Sequence, residues 1–174
     1  LTQALPPASF LDRFVLILET GEHVDLERFR ARLDDAGYHA ASQVTEPGEF
    51  AIRGSILDLF PAGSKVPYRL DLFDDEIDSI RTFDPDSQLT TGQVDSVRLL
   101  PAREVPLDED GIAHFRQAFR AQFEGDPQKI PIYRDVSEGL APGGIEYYLP
   151  LFFESTAHLT DYLPDATLVV LPLD

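Results

Sequence analysis

Between Phe50 and Phe83 apolar and polar residues alternate in short runs, and residues that favour turns separate the runs. Phe50, Ile52 and Ile56 alternate with Ala51, Arg53 and Ser55; Tyr68, Leu70 and Leu72 alternate with Arg69, Asp71 and Phe73. A period of two suits a strand with one buried face and does not suit a helix. The segment Pro61–Pro67, Pro-Ala-Gly-Ser-Lys-Val-Pro, supplies a loop between the two runs. A third strand is expected over Ile80–Phe83, stopped by Asp84-Pro85, and a fourth over Val97–Leu100, stopped by Pro101. Gly54 interrupts the first run and reads as a bulge. The middle of the chain is therefore predicted to be a β-meander.

The flanks have a different pattern. Phe14–Leu18 is a continuous apolar run of strand length, consistent with a buried strand. A helix follows, with Asp25 as its cap, Val24 placed to staple onto Phe29, and Leu26, Phe29 and Leu33 on one stripe; Gly37 stops it. After Pro106, Asp108 caps a second helix whose stripe is Ile112, Phe115, Phe119 and Phe123, ended by Gly125 and Pro127. Ile145–Phe153 is apolar and aromatic without a clear period, Thr167–Leu171 reads as a strand, and Leu1–Ala8, with Pro6-Pro7, reads as a linker. The fold class is α/β (α+β). A boundary falls near Pro101–Pro106, between a meander-based domain and the start of another α/β unit.

Composition narrows the function. With 31 Asp+Glu against 14 Lys+Arg the net charge is -17. The acidity is spread along the chain, and a surface of that sign repels phosphate backbones and anionic lipid. Without Cys there is no disulfide, no thiol chemistry and no Cys-ligated zinc. No apolar run is long enough to span a bilayer and no signal peptide is evident, so a cytoplasmic, non-membrane protein is expected. With Leu1 first and no Met, the chain reads as an excerpt of a longer protein.

Sequence motifs for catalysis are missing. A phosphate-cradling loop of the Walker A type needs Gly-x-x-x-x-Gly-Lys-Ser/Thr; Lys65 and Lys129 are followed by Val66 and Ile130, and Ile145 follows the Gly139/Gly144 pair where the Lys belongs. No nucleophile elbow is present. His23, His39, His114 and His158 lie far apart. The cluster Asp71, Asp74, Asp75, Glu76 and Asp78 is the one enzyme-like feature: such carboxylates can hold a divalent cation in a metal-dependent hydrolase, although a solvated turn at a strand end is the commoner use of these residues. No catalytic residue, metal ligand or cofactor site is assigned.

The alternation that buries Leu70 and Leu72 turns Phe73 outward together with Arg69. Arg53 joins them on the same face if its strand pairs with theirs across the Pro61–Pro67 loop. An aromatic ring on a polar face is either covered by a neighbouring segment or anchors an interface, where Arg and aromatic residues concentrate.

Glu46–Pro61 (Glu-Pro-Gly-Glu-Phe-Ala-Ile-Arg-Gly-Ser-Ile-Leu-Asp-Leu-Phe-Pro) and Tyr68–Pro85 resemble a signature shared by the bacterial excision-repair protein UvrB and the transcription-repair coupling factors. Leu99–Glu104 and Gly144–Phe153 resemble the coupling factors rather than UvrB, while Asp161–Pro164 fits both. A UvrB fragment is the alternative within this resemblance. The resemblance implies a small β-meander and helix domain at residues 14–104, which docks the repair protein UvrA. It implies that this domain is inserted in a degenerate helicase-like lobe, with residues 1–13 a linker or the end of the preceding lobe and residues 105–174 the start of the returning one. It assigns UvrA docking to Arg53, Arg69 and Phe73, with Arg81 as a rim contact. The family couples ATP hydrolysis to movement along DNA and displaces stalled RNA polymerase; ATP and Mg²⁺ would belong to a motor elsewhere in the parent protein, and no cofactor to this segment.

Overall fold

The computed structural model describes residues 4–163. Helix α1 (Ala8–Phe14) leads into strand β1 (Leu16–Glu19), and helix α2 (Leu26–Asp35) follows. The short strand β2 (His39–Ala40) opens a run of strands: β3 (Glu49–Arg53), β4 (Ile56–Leu59), β5 (Tyr68–Phe73), β6 (Glu76–Phe83), β7 (Thr90–Val94) and β8 (Ser96–Leu99). Helices α3 (Glu109–Gln122) and α4 (Pro131–Ser137) come next, then a 3₁₀ segment at Ile145–Phe152. The expected mixture of helix and sheet is present. Among the described residues no helix is long and apolar enough to cross a membrane.

Strands β2 to β7 form one sheet in chain order; β2 pairs parallel to β3, and all other neighbours are antiparallel. Its inner face is a row of large apolar side chains. Leu57, Leu70 and Ile80 are fully buried and lie side by side across three strands. Phe29 and Leu33 of α2 pack into the same core, as do Leu16 and Leu18 of β1 and Val97 and Leu99 of β8. Burial of such side chains is worth about 1.5–3 kcal/mol each.

Helix α2 begins and ends as its sequence signals require. The Asp25 carboxylate accepts from the Arg28 N–H at 3.1 Å, and Gly37 takes φ +88°, a left-handed stop that side chains disfavour. The Arg103 side chain lies across Gly37, where a Cβ would stand 2.6 Å from Arg103 Cγ. Arg103 donates to the last carbonyls of α2, at 3.0 Å to Asp34 and 2.8 Å to Asp35, so a cation sits at the negative end of the helix.

The structure departs from the periodicity reading in several places. The run expected as one strand from Phe50 to Ile56 is divided between β3 and β4, and the strand that follows β6 in the meander is β7; Val97–Leu99 belongs instead to β8, which pairs with β1 in a separate two-stranded sheet. Strand β7, Thr-Thr-Gly-Gln-Val, is an exposed edge strand and so has almost no apolar pattern to detect. The expected buried strand at Phe14–Leu18 is displaced: Phe14 ends α1, and Ile17 faces outward, 55% exposed, because the β1–β8 ribbon is covered on one side only. Gly54 is no bulge. Arg53 pairs with Ile56, so Gly54-Ser55 is a two-residue hairpin loop with Gly54 at φ +61°. Register shifts fall instead in the β5–β6 pair, next to Asp71 and Leu72, and in the β6–β7 pair, between Thr82 and Phe83. Strand β6 starts at Glu76, four residues before the expected Ile80, because the Asp74-Asp75 turn is equally tight. The strand expected at Thr167–Leu171 lies outside the described residues.

A second apolar cluster gathers Phe115 and Phe119 of α3, Tyr133 and Val136 of α4, and Leu149, Leu151 and Phe152 of the 3₁₀ segment. Asp108 caps α3 by accepting from the Gly111 N–H at 2.9 Å. Phe123, expected on the buried stripe, is 40% exposed just past the helix end.

The Tyr133 hydroxyl is buried in this cluster without a hydrogen-bond partner. A polar group left in that state costs free energy that a phenyl ring does not. Tyr133→Phe should therefore be neutral or stabilising, by up to about 1 kcal/mol in a urea titration; a clear loss of stability would show that the hydroxyl is satisfied.

Candidate functional site

Register decides which side chains share the outer face of the sheet, the one turned away from α2. Ala51 pairs with Asp58, Asp58 with Arg69, and Arg69 with Arg81. One step along, Arg53 pairs with Ile56, Ile56 with Asp71, and Asp71 with Ser79. Phe73 has the parity of Arg69 and Asp71 on β5 and faces Glu76 across the turn. Arg53, Arg69, Phe73 and Arg81 therefore lie on one face, as alternation implied for the first three. The route differs from the expected one. The strand of Arg53 does not pair with that of Arg69; β4 stands between them and contributes Asp58.

Asp58 is the one charged side chain that is buried among the described residues. Arg69 grips it with two bonds, Nε to Oδ1 at 2.7 Å and Nη2 to Oδ2 at 2.9 Å. Arg53 Nη2 donates to Oδ2 from the other side. The Arg69 guanidinium also lies over the Phe83 ring, 4.7 Å from its centroid, and Nη2 reaches the Gln88 side chain at 3.3 Å. Its pKa is raised further above the ordinary arginine value, chiefly by the Asp58 hydrogen bond. The two arginines consequently differ in access: the Arg69 side chain is 17% exposed and that of Arg53 46%. Arg81 is tied to Asp71, which also accepts from Ser79 Oγ at 3.1 Å.

Phe73 stands apart from this network, 80% exposed at the end of β5. The turn beyond it is held in place. Asp74 adopts φ +59°; the Val24 N–H donates to the Asp75 carbonyl at 2.7 Å, and the Ile77 N–H donates to the Glu22 carbonyl at 2.9 Å. His23 Nδ1 lies 2.9 Å from the Asp75 carboxylate. That bond raises the His23 pKa and lowers that of Asp75.

The acidic cluster disperses over this geometry. Asp71 serves Arg81 on the sheet face, Asp74 and Asp75 form the turn, and Asp75 turns to His23. Among the described residues no group of three or more His, Asp or Glu is placed to hold a metal ion. What the outer face offers is a fixed set of guanidinium groups beside an uncovered ring, which are the elements of a protein-recognition surface. Sequence reasoning placed the arginines and the ring on this face but did not single out Asp58 or Gln88 as their partners, and it read Asp71 as one of the acidic cluster and not as the partner of Arg81. The signal for Asp58 was an acid inside the apolar run Ile56-Leu57-Asp58-Leu59, in the outward register opposite Arg69.

The family model described as the UvrB interaction domain matches residues 16–105, from β1 through both sheets. The chain belongs to the UvrB interaction domain family. Its relatives include proteins named transcription-repair-coupling factor from Haemophilus influenzae, 51% identical over 98% of this chain, and Escherichia coli, 48% identical over 98%. A relative of the same name from Bacillus subtilis is 32% identical over 96%. The chain spans about 15% of the length of each.

Two outcomes follow for stability and pH. Removing Arg69 leaves Asp58 buried with one partner fewer, so Arg69→Ala should cost about 2–4 kcal/mol, below the full loss for an isolated buried pair. Arg53→Ala leaves the two-bond pair intact and should cost less than about 1 kcal/mol. Equal shifts of the two denaturation midpoints would contradict this asymmetry. The His23–Asp75 bond should show in a titration of the imidazole resonances, with a midpoint above the usual value of about 6.5. A raised His pKa means that the pair contributes most below that value and is lost as pH rises through the folded midpoint; the lowered Asp75 pKa makes it fail again in acid. Asp75→Asn should return the midpoint towards the usual value, and an unchanged midpoint would contradict the assignment.

Proposed function

We propose that this segment is a docking module for the excision-repair protein UvrA within a transcription-repair coupling factor. The observation that carries the reading is Phe73, 80% exposed on the same sheet face as Arg53, Arg69 and Arg81. An exposed phenyl ring held on a stitched turn loses little freedom when a partner covers it, and full burial of such a ring is worth about 1.5–3 kcal/mol. Arg53 keeps its outer edge in water while Asp58 holds the inner one, so it can grip a UvrA carboxylate through charge-assisted hydrogen bonds. Arg69 contributes from beneath, by fixing the carboxylate that orients Arg53. Arg81 lies one strand further out as a rim contact. A net charge of -17 opposes a nucleic-acid reading of this arginine face.

In this reading residues 14–104 are the docking domain, set into a degenerate helicase-like lobe whose preceding end is residues 1–13 and whose return is residues 105–174. The segment needs no cofactor. ATP, Mg²⁺, DNA and RNA polymerase belong to other parts of a cytoplasmic parent that brings UvrA to a stalled polymerase. A carboxylate-based hydrolase has no comparable support, because the acids that would serve it are divided between an arginine, a turn and a histidine.

The test is UvrA binding by Phe73→Ala. Loss of a central anchor should weaken binding by about 2 kcal/mol, roughly thirtyfold, with the thermal midpoint nearly unchanged because the ring is 80% exposed and contributes little to the core. Binding equal to that of the parent chain, with the fold intact, would refute the docking face.

A further inference from the structure

Asp58 is fully buried, faces the docking surface from below, and touches both arginines that the proposed function uses. A buried carboxylate in a small sheet is expensive, and apolar residues of similar size often serve stability as well. Its neighbours show what it does. It neutralises one of two guanidinium groups that otherwise face each other across β4, and it fixes the plane of Arg53, whose other side-chain hydrogen bond among the described residues runs from Nη1 to the Ser42 carbonyl at 3.3 Å. Arg69 has additional restraints from Phe83 and Gln88, so it stays in place with less help.

We infer that Asp58 is a positioning residue for UvrA recognition, which acts by pre-orienting the Arg53 guanidinium for a carboxylate of the partner. The inference rests on the docking reading above. In the parent chain the side chain of Arg53 is held before UvrA arrives, so its ordering is not lost again on binding. Without Asp58 the same charge remains on a long, free side chain next to an uncompensated Arg69.

A double-mutant cycle on the 174-residue chain separates this role from general support of the fold. UvrA binding is measured for Asp58→Asn, Arg53→Ala and the double variant, with circular dichroism to establish folding. Asp58→Asn alone should weaken binding about tenfold, and by less than about twofold when Arg53 is already alanine, because Asp58 acts through Arg53. Full additivity would overturn the positioning role while leaving the docking face standing. If Phe73→Ala, still folded, binds like the parent, the docking reading itself fails. Should Asp58→Asn not fold, Arg53→Lys decides, since lysine keeps the charge but not the planar fork that Asp58 orients. Loss matching Arg53→Ala supports the inference; binding within about twofold of the parent overturns it.

Discussion

A single buried carboxylate organises the outer face of the six-stranded sheet. Asp58 takes two bonds from Arg69 and a third from Arg53 while remaining fully out of water. Desolvating a carboxylate costs several kcal/mol, and that cost is offset only when the charge is paired and the remaining lone pairs are used. Two arginines on adjacent registers meet both conditions. The arrangement also constrains the strands, because Asp58, Arg69 and Arg53 meet only when β3, β4 and β5 pair as they do. A one-residue slip would send the carboxylate into the leucine core and the leucines into solvent. The pair of faces thus specifies one register: Leu57, Leu70 and Ile80 demand it from inside, and the Asp58 cluster demands it from outside.

The outer face is not uniform. At one end Val44, Ala51, Phe60 and Phe83 form a small buried cluster, and Gln88 closes over it by donating to the Val44 carbonyl at 3.0 Å. At the other end the face runs out to Phe73, which is 80% exposed. The same strand therefore carries a sealed arginine and an open aromatic ring four residues apart. Exposure of that ring is not laxity in the backbone. The hairpin beyond it is bonded to the loop that precedes α2, through Gly21, Glu22, Val24, Asp75 and Ile77.

How much of this was legible in the sequence follows from the physics of each part. The inner faces of β3, β5 and the second half of β6, and the two capped helices, could be read because burial leaves a period of 2 or 3.6 and capping leaves Asp at the start and Gly at the end; β4 reads as a continuation of β3 because alternation runs on across the Gly54-Ser55 turn. The edge strands β2 and β7 could not, since an exposed strand has no apolar side to reveal it. The assignment of Val97–Leu99 to the wrong sheet arose because apolar alternation marks a strand but does not name its partner. The outward parity of Arg53, Arg69 and Phe73 followed from local alternation alone. Asp58 did not, because its role depends on β4 lying between β3 and β5, and pairing order is not a local property.

The charge distribution sets how such a surface can select a partner. Asp58 cancels one of the two arginines it holds, and Asp71 cancels Arg81, while Asp74, Asp75, Glu76 and Asp78 crowd the hairpin next to Phe73. Seen from beyond a Debye length of about 8 Å, the molecule is negative on this side as well. The positive edge of Arg53 is felt only by a group already in contact. For the docking role proposed above, long-range attraction would contribute little to encounter with an acidic site, and discrimination would fall to short-range fit: a pocket for the ring, a carboxylate at the Arg53 fork, and no acid against the hairpin acids. Interfaces built this way distinguish partners mainly by how slowly the right one leaves.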